Sequence, residues 1–321
     1  MSNQRQQRLG VAYGLGAYFW WGFIALYFKA VAAVPALEVL AHRVVWSVVL
    51  LGLLIVLRGR SAEFGALFRD RRTVWALAGT TVLIAVNWLI FIWAVAHDRL
   101  LEASLGYFIN PLVNVVLGFV FLRERLRRIQ TVAVLLAGGG VLWLALGYGE
   151  PPWISLTLAV SFGLYGLLRK VSRPDGTLGL AAETLMLTPV AVGWLCWRQF
   201  HGGTAFVDGG LGTALLLVAG GFVTAVPLVW FAEAARRLRY ATIGFLQYIA
   251  PSLQFLLAVA VFAEPFTRDH LVSFGLIWLA LGLYSIDTMR SLGLRSPLQW
   301  WRDSRNGSTS LASEESRPGS N

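Results

Sequence analysis

Ten long apolar runs, each bounded by charge, glycine or proline, dominate the 321 residues and restrict what the chain can become. They lie near residues 9–28, 37–57, 74–96, 101–122, 129–147, 153–168, 180–199, 212–235, 241–262 and 271–288. A helix needs about 20 apolar residues to cross the hydrocarbon core, whereas a barrel strand needs about 10 of alternating polarity. The runs are continuous and mostly long, so they predict an all-α membrane protein of ten transmembrane helices. Composition agrees: 57% of residues are hydrophobic and only 14% are charged, where a soluble domain carries about 25% charged residues. Lipid must therefore solvate much of the surface.

A net charge of +10 does not point to nucleic acid, because the basic residues fall in short clusters between the runs. With the N-terminus inside, 22 Lys and Arg lie on one side and 4 on the other, Arg43 being within the second run. That bias predicts that both termini are cytoplasmic. Arg5 and Arg8 precede the first run and Ala30-Val31-Ala32 follows it like a signal-peptidase site. The apolar stretch exceeds the roughly 7–15 residues of a signal peptide, and Lys29 interrupts it before that site, so it reads as a retained span. Residues 291–321 are polar and without apolar periodicity, which predicts a disordered cytoplasmic tail. The single cysteine, Cys196, makes neither an intramolecular disulfide nor a thiolate metal site.

The two halves resemble each other at an offset of 140 to 145 positions. Ile109-Asn110-Pro111 falls on Ile249-Ala250-Pro251, Glu124 on Glu264, Glu38 on Glu183, and Trp21-Gly22 on Tyr165-Gly166. Residues 1–147 and 148–290 then form two five-helix repeats, and an odd number inverts the second in the membrane. Such inverted repeats place a binding site near midplane at their interface.

Polar residues inside the spans mark where that site would lie, since each is costly in lipid and normally faces a cavity or a partner. Tyr107, Asn110-Pro111 and Asn114 recur on one face of span four. Pro111 lacks the N–H that would bond the carbonyl of Tyr107, which leaves that carbonyl for a ligand, water or neighbour. Span nine carries Gln247, Tyr248, Pro251 and Gln254 at matching positions, and span three adds Asn87 and Phe91. These ten residues are the candidate substrate lining. Asn and Gln also glue membrane helices together, and the pattern alone suits both uses.

Span two opens with Glu38 and His42 on one face and Arg43 and Ser47 on a face turned by 100°. Glu38, His42, Arg43 and Glu102 are candidates for coupling or gating, with Glu38 and His42 the proton carriers and Glu38 or Glu102 the candidate ion-pair partner of Arg43. Glu124 and Glu264 end spans four and nine and read as latches on Arg or backbone groups. Gly138-Gly139-Gly140 reads as a close helix contact. The four histidines are scattered, and no H-E-x-x-H, G-x-S-x-G or Walker sequence is present. No cofactor or metal is expected, nor an enzyme or an ATP-driven pump.

At these residues the chain resembles a known group. The strings Ala17-Tyr18-Phe19-Trp20-Trp21-Gly22, His42-Arg43-Val44-Val45-Trp46-Ser47, Asn87 through Val95, Glu102 through Asn114 and Phe245 through Pro251 are similar to the RarD-type branch of the EamA family, in the drug/metabolite transporter superfamily. The resemblance covers about residues 9–288. It implies ten helices in two inverted EamA repeats, an inner-membrane location and secondary transport, often efflux. The branch's association with chloramphenicol sensitivity names no substrate. The small glycine that often precedes the glutamate ending spans four and nine is Arg123 and Ala263 here, which puts close packing at those ends in question.

The reading is a secondary transporter of small organic metabolites or drugs, working by alternating access in the lipid bilayer. Oligomeric state is not legible. The alternative is a membrane-embedded enzyme or lipid-handling protein using the same cavity, and the missing catalytic set weighs against its enzymatic form.

Overall fold

In lipid every backbone N–H and C=O must be satisfied from within, which drives apolar runs into helices. The computed structural model describes residues 3–123, 125–149, 151–171, 176–238, 242–243 and 246–291, and among them there is no strand. The apolar helices are α1 (Asn3–Ala30), α2 (Ala36–Leu57), α3 (Arg71–Ala96), α4 (Leu100–Leu122), α5 (Arg128–Tyr148), α6 (Trp153–Val171), α7 (Gly176–Gly202), α8 (Gly210–Arg237), α9 (Ile249–Leu256) and α10 (Arg268–Ser291). Short helices at Ser61–Leu67 and Ala205–Asp208 lie in two of the connections. Eight of the ten are long and apolar enough to cross a membrane, while α6 and α9 are shorter. Large apolar side chains face outward, among them Val56, Trp75, Leu135, Leu146 and Phe200, as a lipid-solvated surface requires.

Local signals set several ends. Asp70 caps α3 by accepting from the backbone N–H groups of Arg72 and Thr73. Pro35 precedes α2, where a missing N–H does no harm. Pro111 sits inside α4, which runs on through it. Span nine, expected from 241, is helical at the described residues 242, 243 and 246, passes through a turn at Gln247-Tyr248 and is helical again from Ile249. Pro251 occupies the first turn of α9, where proline is tolerated. The helix ends in a π-helical turn, Leu257–Val261. Glu124 and residues 292–321, which hold nearly all the expected tail, lie outside the described residues.

Packing pairs helices from distant parts of the chain. The α1 helix lies on α8 and α9, α2 on α7 and α8, α3 on α6, α4 on α6 and α9, and α5 on α10. Trp20 and Tyr27 pin α1 to α8 by donating to the carbonyls of Val223 and Leu216, at 3.0 and 2.9 Å. Glycines permit close approaches, two of them on α5 and α8. A Cβ on Gly140 of α5 would stand 3.0 Å from the carbonyl oxygen of Ser273 on α10, so one of the three consecutive glycines does serve close packing, while Gly138 and Gly139 meet nothing within 4 Å. A Cβ on Gly221 of α8 would fall 2.4 Å from the backbone of Trp46 on α2.

Glu264 acts as the expected latch. Its two carboxylate oxygens accept from the N–H groups of Leu100 and Leu101, each at 2.7 Å, and so cap α4 from the far end of α9. Burial pushes the carboxyl of Glu264 up, and the two N–H donors pull it back. The residues preceding the two glutamates are left-handed, with φ of 55° at Arg123 and 53° at Ala263. Backbone conformation, rather than packing, is therefore the physical reason a glycine suits these positions.

The Gly221 contact yields a test. Gly221→Ala overpacks the α2–α8 seam, at a cost of about 1–3 kcal/mol, and should lower the melting temperature of the purified protein. Gly138→Ala, facing open space, should not. Equal melting of the two variants would contradict the seam described.

Candidate substrate site

Arg43 organises the interior. It lies roughly two turns into α2 and is 6% exposed. Its Nε donates to Thr224 Oγ1 of α8 at 2.6 Å. The guanidinium carbon stands 4.0 Å from the ring centre of Trp88 on α3 and 5.5 Å from that of Phe28 on α1. Such stacking contributes about 0.5–2 kcal/mol, more when desolvated. The phenols of Tyr27 and Tyr107 are within electrostatic reach of the same charge. Phe91 joins the group, its ring 5.8 Å from both Phe28 and Tyr107.

The expected carboxylate partner is not there. Glu38, 1% exposed, accepts instead from the backbone N–H of Phe206 at 3.2 Å, and Glu102 pairs with Arg99 at 2.5 Å. No carboxylate among the described residues makes an ion pair with Arg43, because α2 directs Glu38 to the Ala205–Asp208 turn and Arg43 to the helix interface. His42 follows Glu38, stacking on the Phe206 ring at 4.7 Å with both ring nitrogens buried and without a hydrogen-bond partner. Glu38 and His42 thus share a face, as the sequence predicts, and both meet Phe206. Ser47, on the Arg43 face, is fully buried.

The amide-bearing candidates form a second group beside the first. Tyr107 donates to Asn87 Oδ1 at 3.1 Å, and Asn87 Nδ2 donates to the Leu158 carbonyl and to Ser161 Oγ, both at 3.0 Å. Asn110 donates to the Ala159 carbonyl at 3.3 Å, and Asn114 to Asn110 Oδ1 at 3.0 Å. In this structure these amides fasten α3 and α4 to α6. Tyr107 belongs to both groups and connects them. Pro111 is buried in the same wall and Asn114 is exposed.

The span-nine candidates are placed apart. Gln254 donates to the Trp21 carbonyl at 3.1 Å, its Oε1 being buried without a partner. Pro251 is buried, Gln247 sits in the turn before α9, and Tyr248 lies close to Ser285 of α10. No hydrogen bond among the described residues joins these four to the Asn87–Asn114 group. On their side the aromatic wall is Tyr18, Trp21 and Phe231, with Trp21 and Phe231 rings 5.7 Å apart.

Several functional-looking groups were missed from sequence. Thr224 lies in an apolar helix and only Gly220-Gly221 before it signals a close approach. Glu183, matched to Glu38 by the repeat, is 1% exposed. It accepts from the Tyr165 hydroxyl at 3.2 Å and has Arg169 at 3.8 Å. An apolar groove of about 410 Å³ beside α1, lined by Gly16, Phe19, Trp20, Phe23, Ile24, Tyr27 and Val223, reaches the Arg43 group only through Tyr27. Among the described residues no three His, Cys, Asp or Glu gather to hold a metal ion.

Residues 8–146 match the EamA-like transporter family. The chain is 45% identical over 287 residues to Protein RarD of Escherichia coli (strain K12), covering 89% of this chain and 97% of that one. The chain belongs to the RarD-type branch of the EamA family. It is also 46% identical over 292 residues to an uncharacterized transporter of Vibrio cholerae, covering 90% of this chain and 96% of that protein. A crystal structure 21% identical in sequence superposes with a TM-score of 0.57 over 87% of this chain and 98% of that one, which shows a shared fold. This EamA-family chain is accordingly a multi-pass membrane protein of transporter kind.

The hydrogen bonds make distinct predictions for the amides. An internal hydrogen bond in a membrane protein averages about 0.6 kcal/mol, so Asn87→Ala, which loses three contacts, should cost roughly 1–2 kcal/mol. Asn114→Ala, which loses one at an exposed position, should leave folding nearly unchanged. Folded yield and melting temperature in detergent measure both. Asn114→Ala proving the more damaging would contradict the bonding seen.

Proposed function

We propose that the protein is a secondary transporter that moves small organic metabolites or drugs across the bacterial inner membrane by alternating access around an interior site. The observation that carries the reading is Arg43. A charged side chain buried inside a membrane bundle marks a functional pathway by default, and this one sits where α1, α2 and α3 meet α8.

The two halves on this reading are residues 1–147 and 148–290, with the second inverted. Helix partners support it: moving each helix five places along turns α1 on α8 into α6 on α3, and α4 on α6 into α9 on α1, and both pairs are in contact. The left-handed residues Arg123 and Ala263, 140 positions apart, support it too. Substrate is lined by Asn87, Phe91, Tyr107, Asn110, Pro111 and Asn114 on one side and by Gln247, Tyr248, Pro251 and Gln254 on the other. The amides then exchange some of their present protein bonds for solute bonds as the halves rock. Glu38 and His42 serve proton coupling or gating, through movement of the Phe206 segment that both touch.

Proteoliposomes loaded with a metabolite mixture should exchange at least one component without nucleotide, with a pH gradient altering the rate. Glu38→Gln combined with His42→Gln should flatten that pH dependence while counterflow persists. An unchanged pH response in folded double variant would remove these residues from the coupling role. No movement of any solute under any gradient would overturn the transporter reading itself.

Orientation is tested separately. In a Cys196→Ser background, Arg71→Cys should stay unlabelled by a membrane-impermeant thiol reagent in intact cells and become labelled after lysis. Labelling in intact cells would reverse the topology.

A further inference from the structure

We propose that Arg43 is the anchor for a negatively charged group on the transported solute, so that the site takes small organic anions with a planar apolar body, carboxylates first among them. The proposal rests on the transporter reading and specifies the solute class. A guanidinium offers five N–H donors in one plane. The Nε edge is taken by Thr224. Trp88 covers a face of the plane, which leaves the in-plane donors free of it. The two terminal nitrogens have no hydrogen-bond acceptor among the described residues, and their paired geometry matches the two oxygens of a carboxylate.

A cation inside a membrane protein normally recruits a carboxylate, and this chain has one five residues earlier. Glu38 is instead spent on the N–H of Phe206, and the other groups facing Arg43 are a hydroxyl, two phenols and aromatic rings. The site therefore holds one unneutralised positive charge in a weakly screening interior, where its attraction for an anion is far stronger than in water. Phe28, Trp88 and Phe91 supply flat apolar surface beside it, suited to the body of an aromatic or otherwise planar solute. A purely structural link between α2 and α8 explains the Nε contact but not the vacant pair of donors.

The test uses matched solutes that differ in charge. The full-length protein in nanodiscs is titrated calorimetrically at pH 7.5 with benzoate and phenylacetate, and with benzamide and phenylacetamide. Each acid should bind at least tenfold more tightly than its amide. Arg43→Gln should abolish the preference for acid over amide, and Arg43→Lys, which keeps charge but loses the fork, should fall between. Acids and amides binding the wild type alike, or neither binding, would overturn the proposal, as would a preference that survives in Arg43→Gln. The wild-type comparison decides even where a variant fails to fold. Counterflow in proteoliposomes separates the two readings: a mixture component that exchanges without competition from either acid sinks the anion assignment and leaves the transporter reading standing.

Discussion

Lipid offers no hydrogen bonds, so the chain must find partners for its polar groups among its own helices. Arg43 is the place where that demand is hardest to meet and where the interior is arranged around it. Insertion of an arginine at a helix centre is unfavourable by about 2.5–3.5 kcal/mol, and no carboxylate among the described residues offsets it. Thr224, Trp88 and Phe28 do so in part, and each comes from a different helix. Close contact of α8 with α2 at Gly221 is what brings Thr224 within reach.

The same demand explains the rest of the polar interior. Asn87 and Asn110 donate to carbonyls of α6, and Gln254 to a carbonyl of α1. Glu264 satisfies the two N–H groups opening α4, a cap supplied from 163 and 164 residues away. Groups used in this way hold the bundle in one arrangement. For a protein of a transporter family, bonds of about 0.6 kcal/mol each are weak enough to be exchanged when helices shift, whereas the desolvated charge at Arg43 stays costly until something anionic meets it.

Much of the fold was legible in the chain. Among the described residues each apolar run is helical, eight of the helices being long and apolar enough to cross a membrane. What periodicity does not show in span nine is the turn at Gln247-Tyr248, which interrupts the helix between Leu246 and Ile249 and puts Pro251 in the first turn of α9. The pairing of Glu38 with His42, and of Arg43 with Ser47, on separate faces of α2 followed from periodicity alone. The partner of Arg43 did not, because Glu38 is near in sequence but turned toward Phe206. At Arg123 and Ala263 the family resemblance pointed to the right positions, and the φ angles supplied the reason.

Sequence by itself determined that this is a helical membrane protein and which residues are polar within its apolar runs. Those properties depend on local composition and on the backbone's need for internal hydrogen bonds, and both are written along the chain. Only the tertiary structure decided what each polar residue touches. Arg43 and Thr224 are 181 residues apart, and Asn87 and Ser161 are 74 apart. Whether an amide serves as a fastener or a charge is left vacant depends on which helices meet and at what rotation. That is fixed by packing across helices, as where Gly221 lies against Trp46, which periodicity within one helix does not encode.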